Sequence, residues 1–146
     1  MITKLKDNEI FVFGSNLAGH HLGGSAKQAW QDFGAVWGTG EGLTGQCYAF
    51  PTLDENLQKR TTKELMDSVY RLVNTARENK DKTFLLTKVG CRIANYDEKY
   101  MRELFEGIEA DNIVFPEGWG LEKKVDEAMD KVISEYGEVL KELGDK

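Results

Sequence analysis

With 146 residues, of which 40% are apolar and 30% charged, the chain has the length and composition of one ordinary soluble domain with a single core. No apolar run approaches the roughly 20 residues of a membrane span, and the opening MITKLKDNEI lacks the apolar centre of a signal peptide, so a cytoplasmic protein is expected. The formal charge of −6 argues against holding duplex nucleic acid through lysine and arginine. Two cysteines without a CxxC pair, with only His20 and His21 to assist, argue against a metal site.

The first nine residues carry Ile2 and Leu5 among polar neighbours and read as an added edge strand. Ile10, Phe11, Val12 and Phe13 then form a short β-branched and aromatic run that stops at Gly14, the pattern of a buried parallel strand. Ser15, Asn16, Gly19, Gly23 and Gly24 follow as a loop. It opens a helix whose Ala26, Ala29, Trp30 and Phe33 share one face. A helix N-terminus has unpaired N–H groups and about half a positive charge, and glycines leave room for phosphate oxygens to reach it. The alternative is that the glycines only make a tight strand-to-helix turn. Neither the three-glycine dinucleotide fingerprint nor the P-loop ending is present.

Ala35, Val36 and Trp37 suggest a brief strand, with Trp30 and Trp37 in the core. Gly38, Gly40, Gly42 and Gly45 form a second glycine cluster, so nine of the fifteen glycines fall between Gly14 and Gly45. Cys47 to Phe50 read as a strand stopped by Pro51. Thr61 and Glu64 make a capping box ahead of a helical stripe of Leu65, Val69, Leu72, Val73 and Ala76. Thr83 to Val89 read as a second buried strand, Gly90 to Tyr96 as its loop, and Asp97 as the cap of a helix with Tyr100, Met101, Leu104, Phe105 and Ile108 on one face. Asn112 to Pro116 suggest a last short strand, and 121–143 a long amphipathic helix packed on the sheet. Two strand-loop-helix units of this kind can close on one crevice at the carboxyl ends of their strands.

The order of Asn16 after an apolar strand, then Gly23, Gly24, Ser25 and Ala26 opening a helix, resembles the first ligand loop of macro domains. The segment Gly40 to Gly45 is similar to the family's Thr-Gly segment, and Phe84 to Tyr96 to its second phosphate loop. The resemblance covers roughly residues 8–116. It implies a single domain, 1–146, with a three-layer α/β/α fold and a mixed, largely parallel sheet. It also implies that the partner is ADP-ribose or a related nucleotide ligand, with no further cofactor, and that an ADP-ribosyl linkage can be the bond hydrolysed. Asn16 then lies near the distal ribose and Gly23, Gly24 and Ser25 near the diphosphate, with Gly14 and Ser15 also among the ligand-binding residues. Gly90, Cys91, Arg92, Asn95 and Tyr96 face them. The chain departs from the family at the Gly-Asp-Ile-Thr segment, of which only Ile2 and Thr3 remain, and in a second loop poorer in glycine. The glycine-rich loop and helix are also similar to Rossmann-like nucleotide-handling proteins related to lysine decarboxylase-like phosphoribohydrolases.

Candidates for chemistry are Asn16, His20, Glu41 and Asp97, any of which can orient or activate a water. Each has a plainer reading: turn residue, solvated loop histidine, exposed carboxylate and helix cap. Tyr96 can stack on a ribose or base, or can begin the next core stripe. Beside turnover stand a binding module without chemistry and an interaction protein with an empty site.

Overall fold

The computed structural model describes residues 2–119. Among them are five strands and three helices in the order β1 (Glu9–Asn16), α1 (Gly24–Asp32), β2 (Gly42–Thr44), β3 (Cys47–Leu53), α2 (Thr62–Glu78), β4 (Thr83–Leu86), α3 (Glu98–Leu104) and β5 (Ile113–Val114). They belong to one compact unit, Met1–Pro116, described here by itself. The expected helix over 121–143 lies outside the described residues.

The sheet runs β2-β3-β1-β4-β5, with only the β2–β3 pairing antiparallel. β1 is central because Ile10 to Phe13 are apolar on both sides of the pleat, as a strand covered on both faces requires. Phe11 and Phe13 point the same way as their β3 partners Cys47 and Ala49, and this face packs under Ala26, Ala29 and Phe33 of α1 and its C-cap. Ile10 and Val12, beside Phe84 and Leu86 of β4, face the other way. On β3, Phe50 of that opposite face lies 5.5 Å ring to ring from Phe105 at the end of α3, and α2 packs on the same strand. Helices therefore cover both faces of a mixed α/β sheet.

The capping box of α2 is formed, with Thr61 Oγ1 accepting from Glu64 N at 3.2 Å and Glu64 Oε1 from Thr61 N at 2.9 Å. Its whole predicted stripe is buried. Five expectations are corrected. Residues 2–8 make no edge strand; Ile2 and Leu5 instead lie partly buried against the α1-side core. Ala35 to Trp37 are not a strand either, since Ala35 N turns back to Ala29 O and Val36 N to Thr44 Oγ1. Trp30 and Trp37, expected in the core, are 42% and 41% exposed and pack on each other. Pro51 does not stop β3. Its missing N–H points away from β1, to the side where β2 has already ended at Ala49 and where the Pro51 carbonyl accepts from Arg60 Nη1. Finally, β4 ends at Leu86 and α3 at Leu104, short of the expected Val89 and Ile108.

Candidate functional site

From β1 the chain moves by α1 to β3 on one flank, then crosses by α2 to β4 and by α3 to β5 on the other. The loops after β1 and β4, on adjacent parallel strands, thus depart to opposite faces of the sheet. Such a switch point opens a crevice at the strands' carboxyl ends. A cleft of about 890 Å³ lies there. It is lined by Gly14, Ser15, Asn16, His20 and Leu22, by Gly23 to Ala26, by Thr52, Leu53, Glu55 and Leu57, and by Thr87 to Gly90 with Arg92, Ile93 and Ala94.

One wall is the start of α1. Its N-cap, Gly23, is extended at φ −158°, no side chain caps the helix, and no acidic residue occupies its first turn. Among the described residues these N–H groups have no built-in acceptor, and the helix dipole adds partial positive charge. Gly24 has φ +59°, and a left-handed residue leading into right-handed ones turns successive N–H groups toward one point, an anion-binding nest. Across the cleft, Ile93 Cδ1 comes so near that a Cβ on Gly23 would stand 3.2 Å from it, and one on Gly24 3.5 Å. Side chains there would close the gap between the loops.

The intervening loop is braced from within. Asn16 Oδ1 accepts from His20 N at 3.1 Å and Asn16 Nδ2 donates to His20 O at 3.0 Å, so the amide works on its own turn. Ser15 Oγ donates to Gly40 O at 2.5 Å. The second glycine cluster supports this loop: a Cβ on Gly40 would stand 2.6 Å from Asn16 O and 2.5 Å from Leu17 O, and Gly19 at φ +73° lies against the Gly38 backbone. His20, exposed, stacks on Trp37 with centroids 5.1 Å apart and planes at 17°. His21 is fully buried, edge-on to Phe13 at 5.2 Å, and donates Nε2–H to Val36 O at 2.9 Å. A carbonyl only accepts, so the proton is on Nε2 and the buried Nδ1 has no partner among the described residues. Burial pushes the imidazole below its ordinary pKa, against the opposing Val36 bond and with help from His20.

The opposite wall is held by Tyr96. Its hydroxyl donates to Thr52 O at 2.7 Å and accepts from Arg60 N at 2.8 Å, tying the loop after β4 to the loop after β3. Its ring stacks on Tyr100 at 6.0 Å and lies under Lys59 Nζ. Gly90, at φ +78°, packs against Tyr96, Thr52 and Met101, and Gly14 needs its lack of a side chain because Gly90 N passes within 3.2 Å of its Cβ position. Asn95 is left-handed at φ 60° and its carbonyl accepts from Lys59 Nζ. Lys88 pairs with Glu98 at 3.2 Å, whereas Arg92 has no such partner among the described residues.

The cleft therefore gathers Gly14, Ser15, Asn16, His20, Gly23, Gly24, Ser25, Gly90 and Arg92, but not the other sequence candidates. Glu41 is held by Arg71 of α2 through a bidentate pair at 2.9 and 3.2 Å. Asp97 caps α3 by accepting from Tyr100 N. Tyr96, expected to face a ligand, is spent on the two loops, Asn95 on Lys59. Cys91 donates to Val89 O, and burial, aided by Glu98, pushes its thiol up to about 11, which makes it a poor nucleophile. Sequence reasoning missed the whole β3–α2 contribution: Thr52, Leu53, Glu55 and Leu57. Between Pro51 and the capping box these residues look like an ordinary polar loop. The available signal was Asp54, whose Oδ1 accepts from Asn56 N and Gln58 N and curls the loop so that Leu57 sits at φ 63°. Among the described residues, no three His, Cys, Asp or Glu side chains come together as a metal ion needs. No helix among them is long and apolar enough to cross a membrane. Compared with family models, curated proteins and solved structures, the chain gives no match.

Proposed function

We propose that this protein binds a nucleoside diphosphate ligand of the ADP-ribose kind in the cleft between the two loops, without the contact from Asn16 to the distal ribose that a macro domain would make, since the Asn16 amide is engaged by its own loop. The observation that carries the reading is the uncapped N-terminus of α1, on a left-handed glycine, forming the wall of a cleft at the sheet's switch point. The volume, about 890 Å³, is within the range that holds a ligand of this size. Arg92, a cation on the facing wall with no carboxylate partner among the described residues, adds a bidentate phosphate donor.

Binding without turnover is the better supported role. The Asn16 amide is engaged by its own loop, Glu41 by Arg71 and Asp97 by the α3 backbone, so of the four candidates only His20 offers a cleft-lining side chain without a hydrogen bond among the described residues. Titration calorimetry with ADP-ribose tests the reading. A micromolar constant, about −8 kcal/mol, is expected, lost in Gly24→Val and weakened at least tenfold in Arg92→Glu, with circular dichroism confirming that both variants fold. Absence of binding to ADP-ribose, ADP, AMP and NAD overturns it. Release of ADP-ribose from a modified peptide at an enzymatic rate overturns the choice of binding over turnover.

A further inference from the structure

A nucleotide needs a place for its base as well as its phosphates, and the residue expected to stack on it, Tyr96, faces Tyr100 outside the cleft. Among the described residues that line the cleft, His20 alone carries an aromatic ring. That ring is exposed and continues into a larger aromatic surface: His20 lies nearly parallel to Trp37 at 5.1 Å, and Trp37 meets Trp30 at 5.0 Å. Two tryptophans more than 40% exposed and touching each other are an unusual surface for a small domain. His20 and the anion nest share the cleft: both His20 and Gly24 line it and are four residues apart, at most about 14 Å of extended chain. The backbone N–H and C=O of His20, held by the Asn16 amide, fix the ring at the cleft's edge.

We propose that the outer face of His20, backed by Trp37, is the base-stacking subsite for the purine of the ligand bound in the cleft. The inference rests on the nucleotide reading above. An aromatic pair already stacked extends readily by a third ring, because π-faces are apolar and no polar group is stranded. The acidic net charge of the chain, −6, favours a single small nucleotide over a polynucleotide as the source of that base.

The test compares wild type with His20→Ala, His20→Gln and His20→Phe, titrated with ADP-ribose and with inorganic pyrophosphate, which has no base. These are exposed-side-chain changes that leave the Asn16 bonds to the His20 backbone in place. Wild type is expected to prefer ADP-ribose, His20→Ala and His20→Gln to lose at least fivefold in affinity for it, and His20→Phe to retain it, with pyrophosphate affinity equal in all four. Trp37→Ala is expected to copy His20→Ala. Unchanged ADP-ribose affinity in His20→Ala overturns the subsite while leaving the nucleotide reading intact. Retention in His20→Gln with loss in His20→Phe also overturns it, by assigning His20 a hydrogen-bonding role. Failure of wild type to bind either probe removes the nucleotide reading and the subsite with it. Tighter binding of a short single-stranded oligonucleotide than of ADP-ribose overturns the choice of a small ligand.

Discussion

Replacing Tyr96 by Phe separates a residue that holds loops together from one that meets a ligand. The phenol is buried, which pushes its pKa up and keeps it protonated and donating at working pH. The substitution keeps the ring and its stack on Tyr100 but deletes the bond to Thr52 O at 2.7 Å and strands Arg60 N, which donates to the hydroxyl at 2.8 Å. A net hydrogen bond is worth about 1 kcal/mol, and a buried group left without a partner costs about 1–3 kcal/mol. The change should therefore destabilise by about 2 kcal/mol. At an m-value of about 1.5 kcal/mol/M this is a fall of about 1.3 M in the urea midpoint. Binding of ADP-ribose should weaken only through the loosened loops, and should recover at lower temperature. A wild-type urea midpoint together with a large loss of affinity would refute the reasoning, because the hydroxyl would then be meeting the ligand directly.

Other outcomes follow from the same contacts. Asp97→Ala removes the α3 cap and should cost about 1 kcal/mol, and Glu41→Gln should cost less than about 1 kcal/mol because its pair with Arg71 is partly exposed; calorimetry should find ADP-ribose affinity unchanged in both. Gly40→Ala must displace the Asn16 and Leu17 carbonyls, an overpacking cost of about 1–3 kcal/mol, and should weaken binding as well. Gly42→Ala meets nothing within 4 Å and should cost only the strain of φ +103° without touching affinity. For His21 the folded-state pKa is depressed below the ordinary value of 6.5, so below that pH the unfolded chain binds the proton that the folded protein refuses. Its contribution is fully present above pH 6.5 and is lost as pH falls through the folded pKa. Urea midpoints from pH 8 to pH 5 should fall more steeply for wild type than for His21→Gln. Parallel profiles would show that His21 does not titrate in this way.

The chain announces its fold most clearly where one residue type answers one physical demand. Ile10 to Phe13 had to be a strand covered on both faces, and Thr61 with Glu64 had to start a helix, because both depend on local chemistry alone. Pro51 misled because its effect depends on which neighbour its missing N–H faces, a fact of the sheet and not of the segment. Trp30 misled because helical spacing says which residues share a face, not whether anything covers it, and Trp37 because a short apolar run need not be a strand or lie in the core. The site divides similarly. Its first loop was readable from glycines that a helix start and a close approach by Ile93 require. Leu57 and Glu55 were not, because the crossover that brings the β3–α2 loop to the cleft is set by strand order, and periodicity does not carry strand order.

The most direct test of the proposed ligand is amide chemical-shift mapping of the 15N-labelled protein during titration with ADP-ribose. The largest shifts should fall on the N–H groups of Gly23 to Ala26 and on Gly90 to Ala94, with His20 next, and should saturate together. Saturable shifts confined to residues outside the cleft, or none at millimolar ligand, would contradict the account.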